Sequence, residues 1–222
     1  MRKLYHHPSC PLSRQARFIL AELKLDCEYI VEEYWLRKEE LLKINPSGEV
    51  PILVEENGTT ICGIYPLIEY FSEKYSAVDL MPETIEDKSE VRRMLSWFNN
   101  KFYKEISNYI LEEKLIRPKT SNEAPRTSIL RAAKINLKYQ LRYLTYLIEQ
   151  RGFFAMDKFS FADIAAASHI SVLDYFNEIF WDQYPALKEW YLIVKSKPSF
   201  RPILIDIIKG IKASNQYNLL DF

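Results

Sequence analysis

The hydrophobic pattern of this chain changes period once, near residue 76, and that single change limits the folds open to it. Before it, short alternating segments are interleaved with helical ones. After it, every periodic segment repeats at helical spacing. Residues 3–7 read as a first strand, and Leu12, Ala16, Ile19, Leu20 and Leu23 then recur on one helical face. Residues 27–32 alternate as a second strand. Residues 38–44 form a short helix or turn, closed by Asn45-Pro46-Ser47-Gly48. Residues 50–55 and 59–62 read as two strands joined through Asn57-Gly58, a strong hairpin signal, and a helix is predicted over 66–75. The order βαβαββα implies a small α/β domain over 1–76, then a linker over 77–88 that contains Pro82. An all-helical domain is predicted over 89–208, with helices near 86–113, 124–150, 160–177, 183–195 and 199–208, and a tail over 209–222.

Composition narrows the function classes. Lys and Arg number 30, as do Asp and Glu, so no basic excess exists to grip phosphates and nucleic acid is not an expected partner. No run approaches the roughly 18 apolar residues of a membrane helix, so no membrane insertion is expected. The opening Met-Arg-Lys-Leu-Tyr runs into a strand pattern rather than a leader. Three cysteines, Cys10, Cys27 and Cys62, suit reduced thiols in a cytoplasmic protein better than a disulfide framework. His6, His7 and His169 lack metal-ligand spacing, so no metal is expected.

Three constellations could carry chemistry or order. Cys10 stands at the start of the first helix, where unpaired N–H groups and the helix dipole favour a thiolate, with Arg14 one turn on. Pro51 at the head of a core strand suggests a cis Val50–Pro51 bond. Such a bond would turn the Val50 backbone outward to pair with an extended peptide. Ser160-Phe161-Ala162-Asp163 ahead of an apolar run is a capping box, which makes Ser160 and Asp163 structural residues rather than catalytic ones.

Cys-Pro-x-x after a first strand, Asn-Pro-x-Gly-x-Val-Pro before a hairpin and Ser-x-x-Asp in a helical domain together resemble the glutathione S-transferase superfamily. The resemblance runs the length of the chain. It implies a thioredoxin-like N-terminal domain, a helical C-terminal domain and a homodimer, with aromatic residues such as Trp97, Phe98, Phe102 and Tyr103 as candidate subunit-facing groups. It places Cys10 where omega-like members carry a catalytic cysteine, with Ser9 and Ser13 as fallback nucleophiles and Tyr5 as a weaker one. Glutathione would lie against Val50, Pro51, Gly63 and Ile64. At the last two positions the family usually carries an acidic or amide residue followed by Ser. Gly63-Ile64 removes a side chain and a hydroxyl donor, so glutathione is expected as a weak or vestigial ligand.

A narrower resemblance is to the bacterial FtsZ-localised, GST-like division proteins. It rests on Gly63-x-x-Pro66 before Glu69-Tyr70, on the run from Asp163 through His169 to Asp174-Tyr175, on Pro198-Ser-Phe-Arg201-Pro202, and on the ending Tyr217-Asn-Leu-Leu-Asp221-Phe222. His169 and Asp174 read as buried packing residues. Two functional readings follow: a binding module for the FtsZ polymer, with Trp35, Tyr217, Asp221 and Phe222 as interaction residues, or a glutathione-dependent thiol transferase acting through Cys10. The sequence favours the first.

Overall fold

The computed structural model describes residues 1–75 and 79–222, so the domain boundary expected at 76 and the linker residues 77 and 78 lie outside the described residues. The N-terminal elements are β1 (Lys3–His6), α1 (Pro11–Glu22), β2 (Glu28–Val31), α2 (Glu39–Ile44), β3 (Ile52–Val54), β4 (Thr60–Cys62) and α3 (Ile64–Lys74). This is the expected βαβαββα order. The sheet runs β2-β1-β3-β4, with β1 parallel to β2 and antiparallel to β3, and β3 antiparallel to β4. The parallel pair requires the α1 crossover, whereas β3 and β4 need only the Asn57-Gly58 turn, where Gly58 takes φ +85°.

Strand alternation splits this domain's core in two. Leu4, Leu53 and Ile61 stand opposite one another across three strands and face the main core with Phe18, Ile19, Leu67 and Phe71. The other row, Tyr5, Ile52 and Cys62, faces a smaller core under α2. Cys10, Leu41 and Val50 are buried there. A one-residue register slip would exchange the two rows, so the apolar pattern pins the sheet and, with it, the thiol.

The helical part opens with α4 (Ile85–Ser96), capped by the Thr84 hydroxyl accepting from the Asp87 N–H. The rod continues without a break to Thr120. It passes through π-helical turns at Trp97–Ser107 and Glu112–Ile116, with α5 (Asn108–Leu111) between them and α6 (Arg117–Thr120) at its end. It therefore outruns the expected end at 113. Next come α7 (Thr127–Arg151), α8 (Phe161–Tyr175), α9 (Pro185–Ser196) and α10 (Arg201–Leu204). The last helix stops well short of the expected 208, and Asp206 beyond it pairs with Arg17 at 2.7 Å. Every residue of α8 is buried, which marks it as the central helix.

Phe98 and Phe102, candidates for the subunit-facing side, are instead core residues packed around His169 and Phe154. Helical periodicity alone cannot say which apolar face meets another helix of the same chain. His169 is held by Ser107 Oγ at 2.9 Å and Asn99 Oδ1 at 3.3 Å. Burial lowers its pKa to about 3, so the ring stays neutral. Asn99 in turn accepts from Gln15 of α1, linking the two domains through buried amides.

Arg14 completes that link. Its guanidinium is fully buried; it donates to the Pro8 carbonyl and to Ser171 Oγ, each at 2.7 Å, and lies 3.8 Å from Asp206 and over the Tyr217 ring. The charge expected to support Cys10 is thus committed to the interface of α1, α8 and the tail.

Candidate functional site

Cys10 is the N-cap of α1, with Pro11 next, as the sequence predicts. Its side chain makes no capping bond, and the residue is only 3 % exposed. The thiol faces the Val50 carbonyl at 3.8 Å. Burial pushes the Cys10 pKa up; the Ser13 hydroxyl and the Ser13 and Leu12 N–H groups pull it down without overcoming that push. The thiolate expected from the helix dipole is therefore disfavoured, because desolvation outweighs the dipole in a site this enclosed.

The fallback nucleophiles are enclosed too. Ser9 Oγ lies 2.7 Å from His7 Nδ1, which also accepts the Ser9 N–H at 3.2 Å. Ser13 Oγ accepts the His7 N–H at 3.3 Å. Both hydroxyls are buried, and Tyr5 packs against the small core. Burial first, and then the Lys119 charge, lower the His7 pKa to about 4, so its ring is a neutral acceptor.

The Val50–Pro51 bond is cis. The Val50 carbonyl meets the Cys10 thiol rather than open space, and the Pro51 carbonyl accepts the Gly63 N–H at 2.9 Å. Gly63 caps α3 with φ +86°, a conformation that strains any residue with a Cβ. Ile64 is buried in the main core with Leu67 and Ile68. A serine at that position would leave part of the core unfilled.

Three groups around this site were not read as part of it from the sequence: Tyr34, Lys119 and Tyr103, the last expected on a subunit-facing side. Tyr34 and Trp35 form a short turn beside His7, with Trp35 at 4.7 Å from the His7 ring and 5.2 Å from the Tyr34 ring. Lys119 of α6 sits over the Trp35 ring at 5.4 Å and pairs with Glu33 at 3.4 Å. Trp35, read from the sequence as an interaction residue, is therefore a half-buried residue that bridges the two domains. The Tyr34 and Tyr103 phenols are raised by burial and then by the neighbouring Cys10. These residues come from three separate elements, so only tertiary packing brings them together. A separate cleft of about 740 Å³, lined by Met81, Glu83, Asp87, Met156 and Lys158 among others, shares no residue with this site.

Ser160 and Asp163 form the capping box. Asp163 Oδ2 accepts the Ser160 N–H at 3.0 Å, and Ser160 Oγ accepts the Ala162 N–H at 3.2 Å. The other Asp163 oxygen accepts from Phe154 N–H and Trp190 Nε1. Asp174 plays a parallel part, accepting from Trp181 Nε1 at 2.9 Å and from Gln216 of the tail.

The tail folds back on this helical domain. Tyr217 is 1 % exposed, donates to the Ile203 carbonyl at 2.8 Å and packs edge-on against Tyr175. It is an anchor, not a free interaction residue. Phe222 is half-buried between Trp181, Lys188 and Lys195, whereas Leu219, Leu220 and Asp221 are exposed.

The N-terminal domain of the glutathione S-transferases matches residues 4–79, and their C-terminal domain matches residues 64–198. The chain belongs to the glutathione S-transferase family. It is 36% identical over 224 residues to the FtsZ-localized protein A of Caulobacter vibrioides, covering 100% of this chain and 98% of that protein. A glutathione S-transferase structure from Rhodospirillum rubrum superposes with a TM-score of 0.95 at 42% identity, covering 100% of both chains. The structure of FzlA from C. crescentus superposes with a TM-score of 0.96 at 36% identity, covering 100% of this chain and 99% of the other.

For a member of the glutathione S-transferase family, the buried thiol has a direct consequence. At neutral pH, iodoacetamide is expected to label the half-exposed Cys62 before Cys10, with Cys10 labelling still accelerating above its ordinary pKa of 9.0. Peptide mapping at timed intervals reads the order. Cys10 labelling first at pH 7 would show that the cleft opens far more than this structure does.

Proposed function

We propose that this chain is a glutathione S-transferase-family binding module that associates with the FtsZ division polymer, with glutathione as a weak ligand. The observation that carries the proposal is the end-to-end similarity to FtsZ-localized protein A. Two features of the site support it over thiol-transfer chemistry: the enclosed, protonated Cys10 and the replacement of a hydroxyl donor by the buried Ile64. The interaction element is the exposed tail end, Leu219, Leu220 and Asp221, held in place by Tyr217 and Phe222. The competing reading, a thiol transferase acting through Cys10, rests on that residue's place at the α1 N-terminus.

Co-sedimentation with assembled FtsZ tests the proposal. The wild-type chain is expected to pellet with polymer, and Leu219→Ser with Leu220→Ser to stay folded but remain in the supernatant. Wild-type protein that never pellets would refute the division reading, and a double variant that pellets normally would remove the tail from it. Calorimetric titration with reduced glutathione is expected to give a dissociation constant at or above about 1 mM. A micromolar value would restore the transferase reading.

The chain is proposed to form a homodimer, in keeping with its family. The groove lined by Trp97, Lys101, Asn136, Tyr139 and Tyr143 offers a partly aromatic surface between α7 and the rod for that contact. Light scattering at micromolar concentration that gave the mass of one chain would exclude it.

A further inference from the structure

One surface of the helical domain is left unexplained by the thiol site, the tail or the dimer groove. Between α7 and the turn at Trp181–Gln183 lies a groove of about 220 Å³. Its floor is apolar: Leu137, Leu141 and Tyr184 are all buried. Phe180 forms a wall and is 72% exposed, an unusual state for a phenylalanine on a helical domain. The rim is basic. Lys134, Lys138 and Arg142 follow one another at i, i+4 and i+8 on α7, which aligns them along one face.

The rim charges are only partly answered within the chain. Lys134 pairs with Glu178 at 3.3 Å, but Glu178 is also bound by Lys114, so that one buried carboxylate is shared between two lysines. Lys138 and Arg142 have no carboxylate within 4.0 Å among the described residues. The Arg142 charge acts instead on the Tyr184 phenol at the groove. Asp182 lies exposed on the turn itself. Elsewhere Arg92, Arg93, Arg117, Arg126 and Arg151 each have an acidic partner, whereas Lys104, Arg131, Arg201 and Lys209 are, like Lys138 and Arg142, without one among the described residues. What sets Lys138 and Arg142 apart from the other unpaired cations is the apolar groove and the exposed Phe180 beside them.

We propose that this groove docks a short acidic peptide segment of a partner protein, with an apolar side chain seated against Phe180, Leu137 and Leu141 and flanking carboxylates on Lys138 and Arg142. An apolar anchor in a pocket supplies affinity, and rim charge supplies association rate and selectivity. The concave apolar floor suits a side chain better than a flat phosphate surface. The site is separate from the proposed dimer groove: on α7 its lining residues Lys134, Leu137, Lys138 and Leu141 and the Asn136/Tyr139/Tyr143 face point about 180° apart, at roughly 100° per residue. The inference does not rest on the division reading.

The test uses the full chain and a fluorescein-labelled peptide, Glu-Asp-Glu-Leu-Phe-Glu-Asp-Glu, followed by anisotropy. Saturable sub-millimolar binding is expected, weakening as sodium chloride is raised. Lys138→Glu with Arg142→Glu should weaken it at least about tenfold, and Phe180→Ser several-fold. Each variant's melting temperature should stay unchanged, because these side chains are exposed. A peptide with Gly-Ser in place of Leu-Phe should bind at least several-fold more weakly. Leu219→Ser with Leu220→Ser should bind the peptide normally, which separates this groove from the tail. Four results would overturn the proposal: no saturation below about 1 mM; undiminished binding by the charge-reversed variant; equal binding of the Gly-Ser peptide; or capture by anionic phosphatidylserine vesicles without peptide binding.

Discussion

Asp163→Ala is expected to lower unfolding free energy by about 3–5 kcal/mol. Its carboxylate receives the Phe154 N–H, the Trp190 indole N–H, the Ser160 N–H and the Ser160 hydroxyl, all buried. Truncation leaves these donors without an acceptor, and each orphaned donor costs roughly 1–3 kcal/mol before local relaxation. The capping box at the start of α8 is lost with it, and α8 is the helix on which both domains pack. For a chain of this size the loss corresponds to a melting temperature lower by roughly 10 °C. Asp163→Asn should recover part of the loss, since its side-chain oxygen can still accept from one pair of donors. Chemical denaturation of the three proteins checks the order. A loss below about 1 kcal/mol for Ala would mean that the donors find other partners and that the box is dispensable.

Tyr217→Ala is expected to cost a similar amount, about 3–5 kcal/mol. The side chain is wholly inside, with its ring edge-on to Tyr175 at 4.9 Å and beneath the Arg14 guanidinium at 5.6 Å. Its hydroxyl closes on the Ile203 carbonyl. Removing it opens a cavity beside a buried cation whose carboxylate, Asp206, is 3.8 Å away. Tyr217→Phe keeps the volume and loses one hydrogen bond, so about 1 kcal/mol is expected. The contrast with Leu219→Ser and Leu220→Ser is diagnostic. Those exposed residues should change stability by less than about 0.5 kcal/mol while altering what the protein binds. If Tyr217→Ala were as stable as wild type, the tail would not be part of the folded core, and Tyr217 would return to the set of interaction residues.

How much of this could be seen in the sequence differs sharply between elements. The sheet was legible because alternation has a period of two and the turn residues are specific. Asn57-Gly58 marked the hairpin, whereas Ile52-Leu53-Val54 is a continuous apolar run, so which side chain faces which core was decided by pairing with β1 and β4. The capping box was legible because both of its partners lie within four residues. The rod was legible as a helix but not in its end point, since Pro118 sits in its last turn, where proline is tolerated next to a new helical segment.

The site was read less well, and the reasons are physical. Local sequence places Cys10 at a helix start, and a helix start favours a thiolate. Whether water reaches the sulfur depends on Val50, Tyr34 and Tyr103, none of them near it in sequence. Arg14 looks like a neighbour of the thiol along the helix, yet its long side chain turns to Ser171 and Asp206 in the other domain. An aromatic such as Phe98 or Tyr217 carries the same apolar signal whether it meets its own core, a second copy or a partner.

The sequence alone determined the order of elements, the hairpin, the capping box of α8 and the family motifs, because each depends on residues a few positions apart. Tertiary structure alone decided the protonation of Cys10, the commitment of Arg14, the anchoring role of Tyr217 and the basic groove beside Phe180. Each of these depends on desolvation and on charges brought together from distant segments, and neither burial nor long-range charge is encoded in local periodicity.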